Sequence, residues 1–175
     1  MSNEKYINQL SYGANNRVIA LSETEVAKIF EGDTRSDIGS EAEKMRFANS
    51  INRLVCQFNR LDFDDTNNWD MLVMERIYPL DFRAIDIGKR ALIFDVFEDE
   101  LNKLHKKGFV HRDLCRPSNQ TGEKYDNIML TTEGLRLIDV GISALKDKVG
   151  DKLFSKYIEV ELKELAIFKN YFLTR

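Results

Sequence analysis

Phe109-Val110-His111-Arg112-Asp113-Leu114 is the stretch that decides how this chain is read, together with Asp126-Asn127-Ile128-Met129-Leu130 and Leu137-Ile138-Asp139-Val140-Gly141 behind it. A carboxylate, Asp113, follows a short apolar strand. An amide, Asn127, opens the next apolar run, and a second carboxylate, Asp139, closes the hairpin that turns at Thr131-Thr132-Glu133-Gly134. Oxygen donors at neighbouring strand ends can converge on one divalent cation and one hydroxyl nucleophile. Such hard ligands suit Mg²⁺, which takes one or two protein oxygens and completes its shell with water and phosphate oxygens.

Immediately upstream, Phe94, Phe97, Leu101 and Leu104 recur at helical spacing, so Lys89 to Lys107 reads as an amphipathic helix stopped by Gly108. Met71-Leu72-Val73-Met74 reads as a strand ending before Pro79, and Leu54–Phe58 as a weaker one. Gly39 to Leu54 reads as a helix capped by Ser40, with Glu43 completing a capping box and Ala42, Met45 and Ala48 on one face. Val18–Leu21 and Glu25–Phe30 read as strands around the turn Ser22-Glu23-Thr24, and Lys152 to Phe172 as a last helix. Strands and one helix come first, then mostly helix with one hairpin. That order predicts an α+β fold of two unequal lobes, residues 1–76 and 77–175.

Composition bounds the function classes. The 175 residues are 43% apolar and 31% charged with a formal charge of −3, which suits a packed globular chain and argues against a nucleic-acid surface. No apolar run is long enough to span a bilayer, and Met1 to Gly13 has no secretory-signal pattern. Cys56 and Cys115 are too few for a disulfide scaffold, and the two histidines show no metal-ligand spacing. A reducing, cytoplasmic compartment is the expectation.

The decisive stretch resembles the catalytic loop and metal-binding turn of eukaryotic-like protein kinases. The resemblance extends backwards in kinase order over residues 10 to 141. Leu10-Ser11-Tyr12-Gly13-Ala14-Asn15-Asn16-Arg17-Val18 falls where the phosphate-covering hairpin would be. Val26-Ala27-Lys28-Ile29 is similar to the lysine-bearing third strand, with Glu41 or Glu43 on the next helix as the ion-pair partner. Met71 to Ile77 resembles the strand leading into the adenine-binding hinge, with Met74 as gatekeeper, and Leu104-His105-Lys106-Lys107-Gly108 resembles the approach to the catalytic loop. Taken singly, Lys28 is a solvated strand lysine, Gly13 a turn glycine, and His105 a packing or hydrogen-bonding residue. Their collinearity is what carries the resemblance.

It implies a two-lobed protein-kinase-like fold with a shortened C-terminal lobe, using ATP and Mg²⁺. Lys28 would hold the phosphates, oriented by Glu41. Asp113 would accept or orient the hydroxyl, and Asn127 and Asp139 would hold Mg²⁺. Adenine would lie under Gly13 and Val18 and over Ala27, beside Met74, with backbone bonds from Glu75 to Ile77. The acceptor would be a protein serine or threonine, or else a small molecule. Arg112 leans towards protein, because antibiotic-phosphorylating relatives more often carry glycine there.

The chain departs from the family in four places. Only one of the covering-loop glycines, Gly13, is present, and Cys115 stands where a lysine is usual. Val140 replaces the usual phenylalanine. Between Asp113 and Asn127 lie 13 residues where the family has four, so Arg116 to Lys124 reads as most of an insertion, with Asn119 as the alternative amide. After Gly141 only 34 residues follow. That length resembles the minimal kinases that bacteria deliver into host cells through specialised secretion systems, some of which need an activating protein partner. A pseudokinase scaffold is the main alternative.

Overall fold

The N-terminal apolar runs pair into one antiparallel sheet. The computed structural model describes residues 9–12, 17–31, 37–118 and 122–175, with side chains described for 17–31, 37–115 and 125–175. Strands β1 (Gln9–Tyr12), β2 (Arg17–Ala20), β3 (Glu25–Phe30), β4 (Phe58–Asp64) and β5 (Trp69–Glu75) form a five-stranded sheet in the order β1-β2-β3-β5-β4. Because successive side chains of a strand alternate between faces, register sorts these residues into two sets. Val18 pairs with Lys28 and Lys28 with Leu72, while Ala27 pairs with Ile19 and Val73. Ile19, Ala27, Ile29, Met71 and Val73 make a small apolar layer on one face. Lys28 lies on the other, towards helix α1 (Ile38–Asn49).

Two sequence expectations change here. The cap of α1 is Asp37, not Ser40: its Oδ1 accepts from Gly39 N at 2.8 Å and Ser40 N at 3.1 Å. The helix also stops at Asn49, short of Leu54. The strand expected at Leu54–Phe58 instead begins at Phe58 and runs to Asp64. Leu54, Val55 and Cys56 are buried, but against the C-terminal hairpin: Cys56 N donates to Leu137 O and Leu137 N to Leu54 O, each at 2.8 Å.

The second half is built on two long helices. In α2 (Ile87–Lys107), Asp86 caps the start and Gly108, at φ 103°, ends the helix in the left-handed region where a side chain would be strained. Its Phe94, Phe97, Leu101 and Leu104 are all buried, packed with Leu165, Phe168 and Phe172 of α4 (Asp151–Thr174). Phe168 meets the rings of Phe94 and Phe97 at centroid distances of 6.2 and 6.0 Å. Each such buried ring contributes on the order of 2–3 kcal/mol from apolar area.

Between the helices, β6 (Phe109–Val110) pairs with β11 (Ala144–Leu145), which a short helix α3 (Lys146–Val149) links to α4. This clasp brings residue 111 beside residue 143. The stretch between holds a small ladder, β7 (Arg116–Ser118) with β8 (Gly122–Lys124), and then the hairpin β9 (Ile128–Thr131) and β10 (Gly134–Leu137). The described parts of the insertion, Arg116–Ser118 and Gly122–Lys124, thus pair as a ladder of their own. One apolar core runs from Ala42, Met45 and Leu72 through Leu54 and Val55 to the α2–α4 interface, so the two lobes share it. No helix among the described residues is long and apolar enough to cross a membrane.

Candidate active site

Lys28 emerges from the inner face of β3 and is buried with a relative exposure of 6%. Its Nζ donates to Glu41 Oε1 at 2.7 Å and to Asp139 Oδ1 at 3.2 Å. Burial by itself would lower this ammonium, but the Glu41 and Asp139 carboxylates outweigh it and hold Lys28 above the ordinary lysine range. Burial likewise opposes ionisation of Asp139, yet Lys28 and the N–H of Gly141 leave its carboxyl below the ordinary value. Glu43 instead points outward, 3.2 Å from Lys148. Lys44, which the sequence reading passes over, donates to Gly141 O at 2.9 Å and ties α1 to the turn after Asp139.

Asp139 itself has φ 56°, a left-handed backbone unusual for a non-glycine residue. Such a conformation costs about 1–3 kcal/mol and persists where the surroundings over-determine it. Here its Oδ1 accepts from Gly141 N at 3.2 Å, and the side chain stays about half exposed, 48%, towards the cleft.

The segment 111–115 is held from several sides. His111 is fully buried. Its Nε2 lies 2.9 Å from Ile138 O and its Nδ1 3.3 Å from Asp113 N. A carbonyl can only accept and an amide N–H only donate, so the ring is the neutral form with its proton on Nε2. Asn127 is buried and its Nδ2 donates to both Asp113 O, at 3.0 Å, and Asp113 Oδ2, at 2.9 Å. Both partners are acceptors, which fixes the amide orientation and turns Oδ1 away from Asp113. Arg112, at φ 73°, donates to Ile142 O at 3.0 Å and lies 3.7 Å over the ring of Tyr157. Its guanidinium is therefore engaged by backbone and an aromatic face.

A residue the sequence reading missed anchors this segment from below. Glu161 of α4 is fully buried; its Oε1 accepts from His105 Nε2 at 2.8 Å and its Oε2 from Arg112 N. The signal was present. Buried positions of α4 fall at Phe154, Glu161, Leu165, Phe168 and Phe172, so a carboxylate interrupts an apolar stripe.

The nucleotide-side expectations divide. Val18 and Met74 share the Lys28 face of the sheet by register, and Ile77 packs against the main core. Ala27 does not: it directly precedes Lys28, so strand alternation turns it to the opposite face, and Val26, paired with Met74, takes the cleft side. The Glu75 carboxylate also turns away, to Arg136 and Gln57 N. The backbone N–H groups of Glu75 and Arg76 are committed to Gln57 O and Thr24 O, at 2.9 and 2.8 Å, rather than to the cleft. Gly13 and Asn119 lie outside the described residues.

Among the described residues, no cluster of three or more His, Cys, Asp or Glu side chains could hold a metal ion by itself. What the site offers is one carboxylate held ionised, Asp139, and one oriented amide oxygen, of Asn127. That donor set fits a hard cation that shares its shell with phosphate oxygens.

No protein-family model and no curated protein matches the chain. Among solved structures, it is similar to the kinase PK-1 of the Cydia pomonella granulovirus, with 18% identity and a TM-score of 0.57 over 80% of this chain. The fold is protein-kinase-like. The match covers 52% of the granulovirus kinase, so the chain spans about half the length of that protein. In this kinase-like frame, Lys28, Glu41 and Asp139 meet at the junction of the two lobes, and Asn127 meets Asp113 beside them on the C-terminal one.

Proposed function

We propose that the chain is an ATP- and Mg²⁺-dependent phosphotransferase acting on a serine or threonine hydroxyl of a protein. We take residues 1–76 as the nucleotide-covering lobe and 77–175 as the lobe that presents the acceptor. The observation that carries the reading is the three-way contact of Lys28 on β3 with Glu41 on α1 and Asp139 in the turn after β10, on a kinase-like fold. A buried ammonium held in place by two carboxylates is poised to meet the α- and β-phosphates at little reorganisation cost. Val18, Val26 and Met74 would enclose the adenine, with Ile77 as the hinge donor. Mg²⁺ held by Asp139 and Asn127 would offset the charge on the transferring group. Asp113, aimed by Asn127, would orient the hydroxyl and take its proton. Arg112, in place of a glycine, favours a protein acceptor.

The test measures transfer of labelled γ-phosphate from Mg·ATP to a mixed protein substrate and to hydroxylated small molecules, with Mg·ATP binding followed by calorimetry. Transfer to protein that Asp113→Asn lowers by about 10²-fold or more, with binding retained, supports the proposal. Label on small molecules alone moves the chain to the antibiotic-kinase type. Mg·ATP binding without any transfer makes it a scaffold, and absence of both overturns the reading.

A further inference from the structure

Glu164 lies three residues after Glu161 on α4, so the two carboxylates share one helix face. Its Oε2 accepts from Leu114 N at 3.2 Å, and the N–H of Cys115 also bonds to it. We propose that Glu164 is a positioning residue for the phosphotransfer proposed above, holding the backbone of Leu114 and Cys115 and thereby setting the aim of Asp113. The inference rests on that functional reading. Three grips then act on two peptide units: Glu161 on Arg112 N of the first, and Asn127 on Asp113 O and Glu164 on Leu114 N, the two ends of the 113–114 peptide. Leu114 is fully buried, so the segment pivots about a fixed side chain and its direction is decided by these polar contacts.

Stability alone does not call for a carboxylate at this position. A glutamine would accept the same N–H groups without facing Glu161 of its own helix and Asp113 of the held segment. Among the described residues, Glu161 is in turn bonded to His105 of α2 at 2.8 Å. Burial, reinforced by Glu161 and Asp113, pushes the Glu164 carboxyl up to about 7. An ionised acceptor binds an N–H more strongly than a neutral one. The grip therefore tightens as pH rises through neutrality and slackens as it falls.

The test has two parts. Amide resonances of ¹⁵N-labelled protein are followed across neutral pH in the wild type and Glu164→Gln. Leu114 and Cys115 N–H signals that titrate in the wild type with a midpoint near the carboxyl value, and stay flat in the variant, are the expected result. Signals that do not titrate, or titrate equally in both proteins, overturn the proposal. Turnover is then compared: Glu164→Gln should lower kcat by about 3- to 10-fold with the KM for ATP unchanged. It should also remove an acidic limb near neutrality from the kcat profile. An unchanged kcat profile in the variant overturns the positioning role. A wild type that transfers no phosphate refutes the functional reading instead, and the amide titration still decides whether Glu164 holds the segment.

Discussion

Lys28 shows how three ordinary side chains become a device once burial removes water. Its ammonium pairs with a buried carboxylate, Glu41 on α1, and a half-exposed one, Asp139 in the turn after β10. With the lysine value raised, its ion-pair contribution is complete below the ordinary lysine pKa and is lost only as pH climbs through the raised one. With the Asp139 value lowered, its contribution is complete above the ordinary 3.8 and is lost as pH falls through the lowered one. The Lys28–Asp139 pair is thus intact across neutral pH, so the acidic limb expected from Glu164 belongs to turnover rather than to assembly of this contact. Lys28→Met should cut kcat/KM by about 10²-fold or more. Glu41→Gln should weaken transfer while Glu43→Gln, on the outer surface beside Lys148, leaves it unchanged. Steady-state assays of the three variants decide the helix register: a loss in Glu43→Gln with none in Glu41→Gln would reverse it. Asp139→Ala should abolish the Mg²⁺ dependence of ATP binding in calorimetry while the chain still folds, and unchanged Mg²⁺ linkage would remove Asp139 from the metal site.

At the scale of elements, α1 carries Glu41 and Lys44 to the cleft, so its starting point matters. Asp37 accepts two of the orphan N–H groups at its first turn. Asp37→Ala should therefore cost about 1 kcal/mol in urea unfolding, and Ser40→Ala close to nothing; the reverse order would restore the capping box read from the sequence. Ser40 and Glu43 satisfy a local rule, but Asp37 begins the helix a turn earlier, takes Gly39 N and Ser40 N, and leaves Ser40 inside the helix. The long apolar periodicity of α2 was legible because all four of its expected core positions face one interface. Strand β4 was not, because Asn59 to Phe63 lie exposed on the sheet edge and carry no alternation of burial. Leu54-Val55-Cys56 read as a strand because it is apolar and buried, yet its partner is Leu137, far away in sequence. Asp113, Asn127 and Asp139 could be picked out because they flank short strands. Ala27 lies opposite Lys28 because the strand's period of two overrides the motif, and nothing but its place in the apolar stripe marks Glu161 as buried among the acids of α4.

At the scale of the whole molecule, the two lobes are joined by polar contacts on the side of the sheet away from Lys28. Glu75, at the end of β5, accepts from Gln57 N at 2.9 Å and from the Arg136 guanidinium on β10. Arg136 is buried at 4% exposure and donates also to Glu133 at 2.9 Å. Beside this pair run the two backbone bonds between Leu137 and the Leu54–Cys56 segment. The seam fixes the back of the molecule, so nucleotide entry on the Lys28 side would proceed by rotation about it. Glu75→Ala removes one of the two carboxylates that satisfy a buried guanidinium, which should cost about 1–3 kcal/mol. At ~3 °C per kcal/mol for a chain of this size, Tm should fall by roughly 3–9 °C. Arg136→Met keeps the side-chain volume and leaves only a partly exposed carboxylate behind, so it should cost less than Glu75→Ala. The double variant should then be no worse than Glu75→Ala alone, because the stranded charge is gone. Nucleotide affinity should weaken in Glu75→Ala while kcat at saturation is kept, since neither residue touches Lys28, Asp113 or Asp139. Thermal unfolding of the four proteins of the cycle, with calorimetric titration of Mg·ATP, measures both effects. Strict additivity of the two substitutions would mean that the lobes are held by the shared apolar core and the backbone bonds, with the ion pair a bystander.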